Sequence, residues 1–141
     1  MRSRHLVQFS LLSAPLAILA WLWLTMLSPW TYQRPDDLPP VAEGTQAVFV
    51  YGTLTYAPVR WLVYGRTGDP SPAVLPGFER HGLDLSPRDN SRVDGLVLEV
   101  SGEELARLDR YERLGLRYER IQVPLASGEQ AWVYLRLKNG L

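Results

Sequence analysis

The stretch Ala47-Val48-Phe49-Val50-Tyr51-Gly52-Thr53-Leu54 decides how the rest of the 141-residue chain is read. Its run of apolar and β-branched residues predicts a strand buried on both faces, and Gly52 breaks that run. A glycine at such a break opens backbone dihedrals closed to other residues, and its missing side chain leaves neighbouring N–H groups open to a ligand. Bare N–H groups in a loop form an anion cradle. The same residues also suit an ordinary strand-to-loop turn.

Downstream, Pro58 followed by Val59, Leu62 and Val63 at helical spacing predicts a short helix within residues 56–65. Gly68, Asp69, Pro70, Ser71 and Pro72 predict a loop. Residues 73–85 read as two short strand pieces bent at Pro76-Gly77, residues 87–91 as a polar turn, and residues 93–100 as a mostly buried strand. Ser101-Gly102-Glu103-Glu104 has the form of a capping box, so a helix is expected from 102 to about 114, with Gly115 as its stop. Residues 117–125 alternate as a strand, Ser127-Gly128 turns the chain, and residues 131–137 return as a last strand. Several strands and one main helix, without regular βαβ alternation, predict a small α+β domain whose mixed, largely antiparallel sheet closes into an open barrel.

Upstream, residues 6–30 carry no charge, a run of about 25 against the ~20 that a membrane-spanning helix needs. Arg2, Arg4 and His5 precede the run, and Arg34, Asp36 and Asp37 follow it. The positive flank predicts a signal anchor with a cytoplasmic N-terminus and an extracytoplasmic domain, periplasmic in a bacterium. Pro29 would end the span, and Trp21, Trp23, Trp30 and Tyr32 would sit toward the outer interface. The alternative is a secreted domain released by signal cleavage, although no clear Ala-x-Ala precedes a polar boundary. On this reading residues 1–30 are a membrane anchor, 31–44 a proline-stiffened linker, and 45–141 one domain of roughly 97 residues.

Fifteen Lys and Arg balance fifteen Asp and Glu in the whole chain. Without a long-range field there is no electrostatic footprint for nucleic acid, and a small-molecule partner is expected. With no cysteine there is no disulfide, zinc–thiolate site or thiol nucleophile. His81 is the domain's only histidine, so no histidine metal cluster forms; it is expected to be a half-buried strand residue.

The helix carries the sharper chemical signal. At 100° per residue, with Leu105 at zero, Leu108 falls at about −60°, Tyr111 at about −120° and Glu112 at about −20°. Glu112 therefore lies within the apolar stripe, while Glu103, Arg107 and Arg110 lie opposite. A carboxylate buried in the last turn meets both desolvation and the negative end of the helix dipole, and each raises its pKa toward a general base's range. The competing reading pairs Glu112 with Arg113, Arg117 or Arg120. Asp109, at the stripe's edge near +40°, is expected to fix local backbone, and Arg107, Arg110, Arg113, Arg117 and Arg120 to form a solvated face.

Val48-Phe49-Val50-Tyr51-Gly52-Thr53-Leu54, Ala73-Val74-Leu75-Pro76-Gly77-Phe78, Val93-Asp94-Gly95-Leu96-Val97-Leu98-Glu99-Val100, and Leu108-Asp109-Arg110-Tyr111-Glu112 followed by Tyr118-Glu119-Arg120 come in that order. Together they resemble the γ-glutamylcyclotransferase family, in its avirulence-induced-gene-like branch, from about residue 47 to 137. The resemblance implies a compact barrel in which Tyr51, Gly52, Thr53 and Leu54 hold a γ-glutamyl end and Glu112 is the catalytic acid/base. Tyr118 and Tyr134 match aromatic positions near the family's pocket. Arg113 departs from the glycine that many members carry there, and the membrane anchor departs from soluble members.

The implied reaction is an acyl transfer of the transferase or lyase type. The α-amine of a γ-glutamyl amide attacks its own γ-carbonyl, giving 5-oxoproline and a free amine or amino acid, with no cofactor and no metal. The alternative is a membrane-anchored, non-catalytic module that binds γ-glutamyl ligands, with Arg113 holding Glu112 charged. An outward-facing domain would also prefer some other γ-glutamyl amide to cytoplasmic glutathione.

Overall fold

A computed structural model describes residues 2–28, 30–41 and 43–138, with side chains described for 13–25, 27–28, 30–41 and 43–138. The chain forms two compact units, Met1–Gln33 and Arg34–Leu141. The first contains helix α1 (Arg2–Met26), with Pro15 inside it.

The expected membrane span, and with it the single-pass topology and extracytoplasmic placement, requires correction. Among the described residues no helix is long and apolar enough to cross a membrane. Lack of charge is not the same property as hydrocarbon character: Gln8, Ser10, Ser13, Pro15 and Thr25 are uncharged yet polar or helix-disturbing. The Thr25 hydroxyl donates to the Trp21 carbonyl at 2.8 Å. Pro29 lies outside the described residues. The preference against glutathione rested on the outward placement and lapses with it.

The second unit is built on a five-stranded sheet in the order β2-β3-β1-β5-β4. Strand β1 (Gln46–Val50) lies at its centre, antiparallel to β3 (Asp84–Val100) and parallel to β5 (Gln130–Arg136). Hairpins join β2 (Ser71–His81) to β3 and β4 (Tyr118–Pro124) to β5. A central position explains the unbroken apolar run, because Phe49 on one face and Val48 and Val50 on the other are all buried. Phe49 joins Leu75, Leu85, Val93, Leu125, Ala131 and Val133 in one core. At the far end of the sheet the Ala126 N–H reaches the Val74 carbonyl of β2 at 2.9 Å. The sheet thus curls into a half-barrel, in keeping with the expected mixed α+β domain.

Two local expectations differ. Of the bent strand pieces at 73–85, residues 73–81 run within one strand with a bulge at Gly77, which takes φ 79°, and the chain turns at Gly82-Leu83 into β3. The polar turn at 87–91 lies inside β3: Pro87 pairs with Phe78 and Arg92 with Pro76, so residues 88–91 oppose only Gly77. Long-range pairing on both sides absorbs a polar segment that a local reading ends.

Helix α2 (Ala57–Tyr64) follows β1 through a 3-10 turn at Thr53–Thr55, and helix α3 (Gly102–Glu112) joins β3 to β4 beside α2.

Candidate active site

Helix α3 begins as its sequence dictates. The Ser101 hydroxyl accepts from the Glu104 N–H at 3.2 Å, and the Glu104 carboxylate accepts from the Ser101 N–H at 2.9 Å. Its end comes earlier than Gly115. Arg113 takes φ 52° and ψ 58°, and its N–H returns to the Arg110 and Asp109 carbonyls. Arginine thus holds at this C-cap the left-handed backbone that glycine favours.

Glu112 is therefore the last helical residue, on the face that buries Leu105, Leu108 and Asp109. Although only half-buried by exposed area, its carboxyl is enclosed densely enough that burial raises its pKa to about 7. Tyr51, Tyr111, Tyr118 and Tyr134 surround it; burial chiefly raises each phenol, and the Glu112 charge adds to the effect. Among the described residues no arginine forms an ion pair with Glu112. The expected competitor Arg120 goes to Asp109 instead.

The loop after β1 faces the same tyrosines. The Thr53 hydroxyl and the Tyr111 hydroxyl share a hydrogen bond of 3.1 Å. Thr55 donates to the Gly52 carbonyl from both its N–H, at 3.1 Å, and its hydroxyl, at 2.6 Å. Leu54 is buried and anchors the turn. The N–H groups of Gly52, Thr53 and Leu54 meet no acceptor among the described residues. Gly52 itself has φ −112°, outside the left-handed region, so space rather than a positive φ accounts for it. A Cβ there would lie 3.2 Å from Leu83 Cδ2.

Leu83 stands at the tip of the β2–β3 hairpin, a segment with no site signal in its sequence. Its carbonyl accepts from the Tyr51 hydroxyl at 3.0 Å and the Tyr118 hydroxyl at 3.3 Å. Glycine at 52, Tyr51 just after β1 and Tyr118 of β4 thus meet one hairpin tip. His81 ends β2 exposed, 3.3 Å from Glu79, rather than half-buried.

Arg60 escaped the sequence reading, and Asp109, expected to fix local backbone, binds side chains instead. Arg60, 5% exposed, donates to the carbonyls of Leu54 (3.1 Å), Thr55 (2.7 Å) and Thr67 (2.6 Å). It turns the carbonyl side of the loop inward. Asp109, 1% exposed, accepts from Arg120 Nε at 2.9 Å and Nη2 at 3.1 Å, from Arg34 Nη1 at 2.9 Å, and from the Tyr134 hydroxyl at 2.5 Å. Arg120 also stacks 4.3 Å from the Trp132 ring centroid. Tyr134 is thus buried with its hydroxyl on Asp109, behind Glu112, rather than on an open surface. Asp109's sole sequence signal was its place at the edge of the apolar stripe. Arg60 and Arg120 had none, since arginine on a helix or strand reads as solvated.

Residues 48–140 match the family described as gamma-glutamyl cyclotransferase, AIG2-like. The chain belongs to this family. Among curated relatives, Protein AIG2 C of Arabidopsis thaliana is 39% identical over 83 residues, which cover 54% of this chain and 49% of that protein. The chain therefore spans about half the length of that relative. A solution structure of an Arabidopsis thaliana protein superposes with a TM-score of 0.59 at 30% identity, covering 70% of this chain and 66% of that one. A structure titled Gamma-glutamyl cyclotransferase shares the fold, with a TM-score of 0.53 at 16% identity over 67% of this chain and 68% of that one. Arg34 lies outside the family-matched region, whereas the Gly52 loop, Glu112 and all four tyrosines lie within it.

A groove of about 640 Å³, lined by Val74, Gly95, Leu125 and Ala126 among others, opens between the sheet's two edges. None of the expected site residues lines it.

Proposed function

We propose that this chain is a γ-glutamylcyclotransferase that converts a γ-glutamyl amide to 5-oxoproline and the free amine or amino acid. The observation that carries this reading is Glu112: a carboxyl moved to about pKa 7 by burial, without an arginine ion pair among the described residues, beside a loop whose N–H groups have no acceptor there.

The substrate's nucleophile and electrophile belong to one molecule, so the protein has to fold it and move protons. Glu112, as the carboxylate, takes a proton from the α-ammonium. The freed amine bonds to the carbon of the γ-carbonyl, Cδ of the glutamyl group, and the carbonyl electrons move onto oxygen. The N–H groups of Gly52, Thr53 and Leu54 hold the anionic end or the developing oxyanion. As the tetrahedral centre collapses, the bond to the leaving nitrogen breaks, that nitrogen takes the proton held by Glu112, and the ring nitrogen gives its second proton to the Glu112 carboxylate so freed, which passes it to solvent. Tyr51 and Tyr118, tied to the Leu83 carbonyl, form walls of the site, and Tyr134 backs it from Asp109. The reacting unit is residues 45–141.

The test is 5-oxoproline release by the full chain from a panel of γ-glutamyl peptides and γ-glutamylamines. Glu112→Gln is expected to lower turnover by about 10²-fold or more on whichever compound the wild type cleaves. Full turnover by Glu112→Gln would remove Glu112 from the mechanism, and ligand binding without product from the wild type would refute the enzymatic reading.

A further inference from the structure

Asp109 receives more positive charge than its burial requires. Arg120 already offers it two N–H bonds from β4, and the Tyr134 hydroxyl offers a third from β5. One guanidinium neutralises one carboxylate. Arg34, ahead of β1 and 75 residues from Asp109 in sequence, nevertheless adds a bond of 2.9 Å. Its other terminal nitrogen holds the Pro39 carbonyl at 2.5 Å. Neutralisation does not explain this second arginine; attachment of a segment does.

That segment lies over the end of α3. A Cβ placed on Gly115 would stand 2.9 Å from Pro35 Cγ and 3.2 Å from Leu38 Cδ1. The Leu38 N–H closes a turn on the Pro35 carbonyl at 3.3 Å. Residues 34–39 therefore cover the turn just after Glu112 and grip, through Arg34, the residue one helical turn before it. Asp109 and Glu112 are three apart and share a helix face. The sheet holds that turn through Arg120 and Tyr134, and the segment holds it through Arg34.

We propose that residues 34–39 form a positioning strap, anchored by Arg34 on Asp109, that keeps the last turn of α3 closed and Glu112 shielded from water. It lies ahead of residues 48–140, which match the family. Its consequence for catalysis rests on the acid/base reading of Glu112; its structural effect does not.

The groups facing Glu112 are Tyr51 after β1, Tyr111 of α3, Tyr118 of β4 and Tyr134 of β5, with Asp84 of β3 acting on Tyr51 and Tyr118. The phenols are all uncharged near neutral pH. Water access, rather than a neighbouring cation, therefore sets where Glu112 titrates. Loosening the strap lets water in and lowers that point.

The experiment is a carboxyl-carbon NMR titration of the full chain labelled at glutamate, with the Glu112 signal assigned through Glu112→Gln. The wild type is expected to titrate near 7 at this residue, and Arg34→Ala lower by about one pH unit or more. Arg34→Lys, the milder variant, should fall between, since one ammonium reaches Asp109 but cannot also fork to Pro39. The proposal is overturned if Arg34→Ala and Arg34→Lys unfold more easily yet leave the Glu112 titration unmoved, or if wild-type Glu112 titrates in the ordinary carboxylate range. A titration that follows Arg34, in a protein releasing no 5-oxoproline from any γ-glutamyl amide, supports the strap and sinks the cyclotransferase reading instead.

Discussion

Replacing Glu112 by glutamine removes a group whose pKa differs between the folded and unfolded chain, and that difference ties stability to pH. Burial moves the folded carboxyl from its ordinary 4.5 to about 7. Between these values the native state keeps a proton that the unfolded state has released, so wild-type stability falls as pH rises through this window. The cost is absent below 4.5 and complete above about 7. At about 1.36 kcal/mol per pH unit the displacement amounts to a ceiling of about 3 kcal/mol; residual solvent access at a half-buried carboxyl reduces it to about 2 kcal/mol. Glutamine does not titrate, so Glu112→Gln should gain on the wild type as pH rises and hold a steady advantage above about 7. The assay is urea unfolding of both proteins at intervals from pH 4.5 to 8.5, compared as a difference so that titrations common to both cancel. A difference that is flat with pH, or one that grows toward acid, would refute the burial argument. The expected pairing of higher stability with lost turnover is the signature of a group held charged against its surroundings for chemistry.

In the wild type, kcat/KM on a cleaved γ-glutamyl compound should rise with pH through about 7, because the free enzyme's base must be ionised; a limb in the ordinary carboxylate range would point to another base. Arg60→Lys keeps the charge but loses the fork that reaches Leu54, Thr55 and Thr67, and denaturant unfolding should show a loss of about 2 kcal/mol. The same variant should raise KM more than it lowers kcat, as the Gly52 loop loosens. Gly95→Ala pushes a Cβ onto the Val50 carbonyl and to 2.7 Å from Phe49 Cζ, and should cost about 3 kcal/mol in the same measurement; a neutral result would mean that β1 and β3 can part freely. Arg113→Gly should be more stable than Arg113→Ala by about 1 kcal/mol, since both lose the same side chain and glycine alone takes φ 52° without strain; equal stabilities would place the helix end elsewhere.

What the sequence determined by itself is what depends on neighbours along the chain. The apolar run of β1, the Ser101–Glu104 capping box, the strand alternation and Glu112 on the buried stripe all arise from periods and caps a few residues long, and each occurs in the structure. The tertiary structure decided where long side chains and distant segments find partners. Arg120 reads as one of a solvated row until Asp109 and Trp132 are brought to it. Arg34 reads as the flank of an expected membrane span until the end of α3 reaches it, and the polar residues at 87–91 read as a turn until β2 pairs on either side. Leu83 has no signal at all until the hairpin tip lands on Gly52, Tyr51 and Tyr118. The physical reason is common to these cases: a guanidinium or a backbone carbonyl suits water or a buried partner equally well, and only the approach of residues far along the chain selects between them.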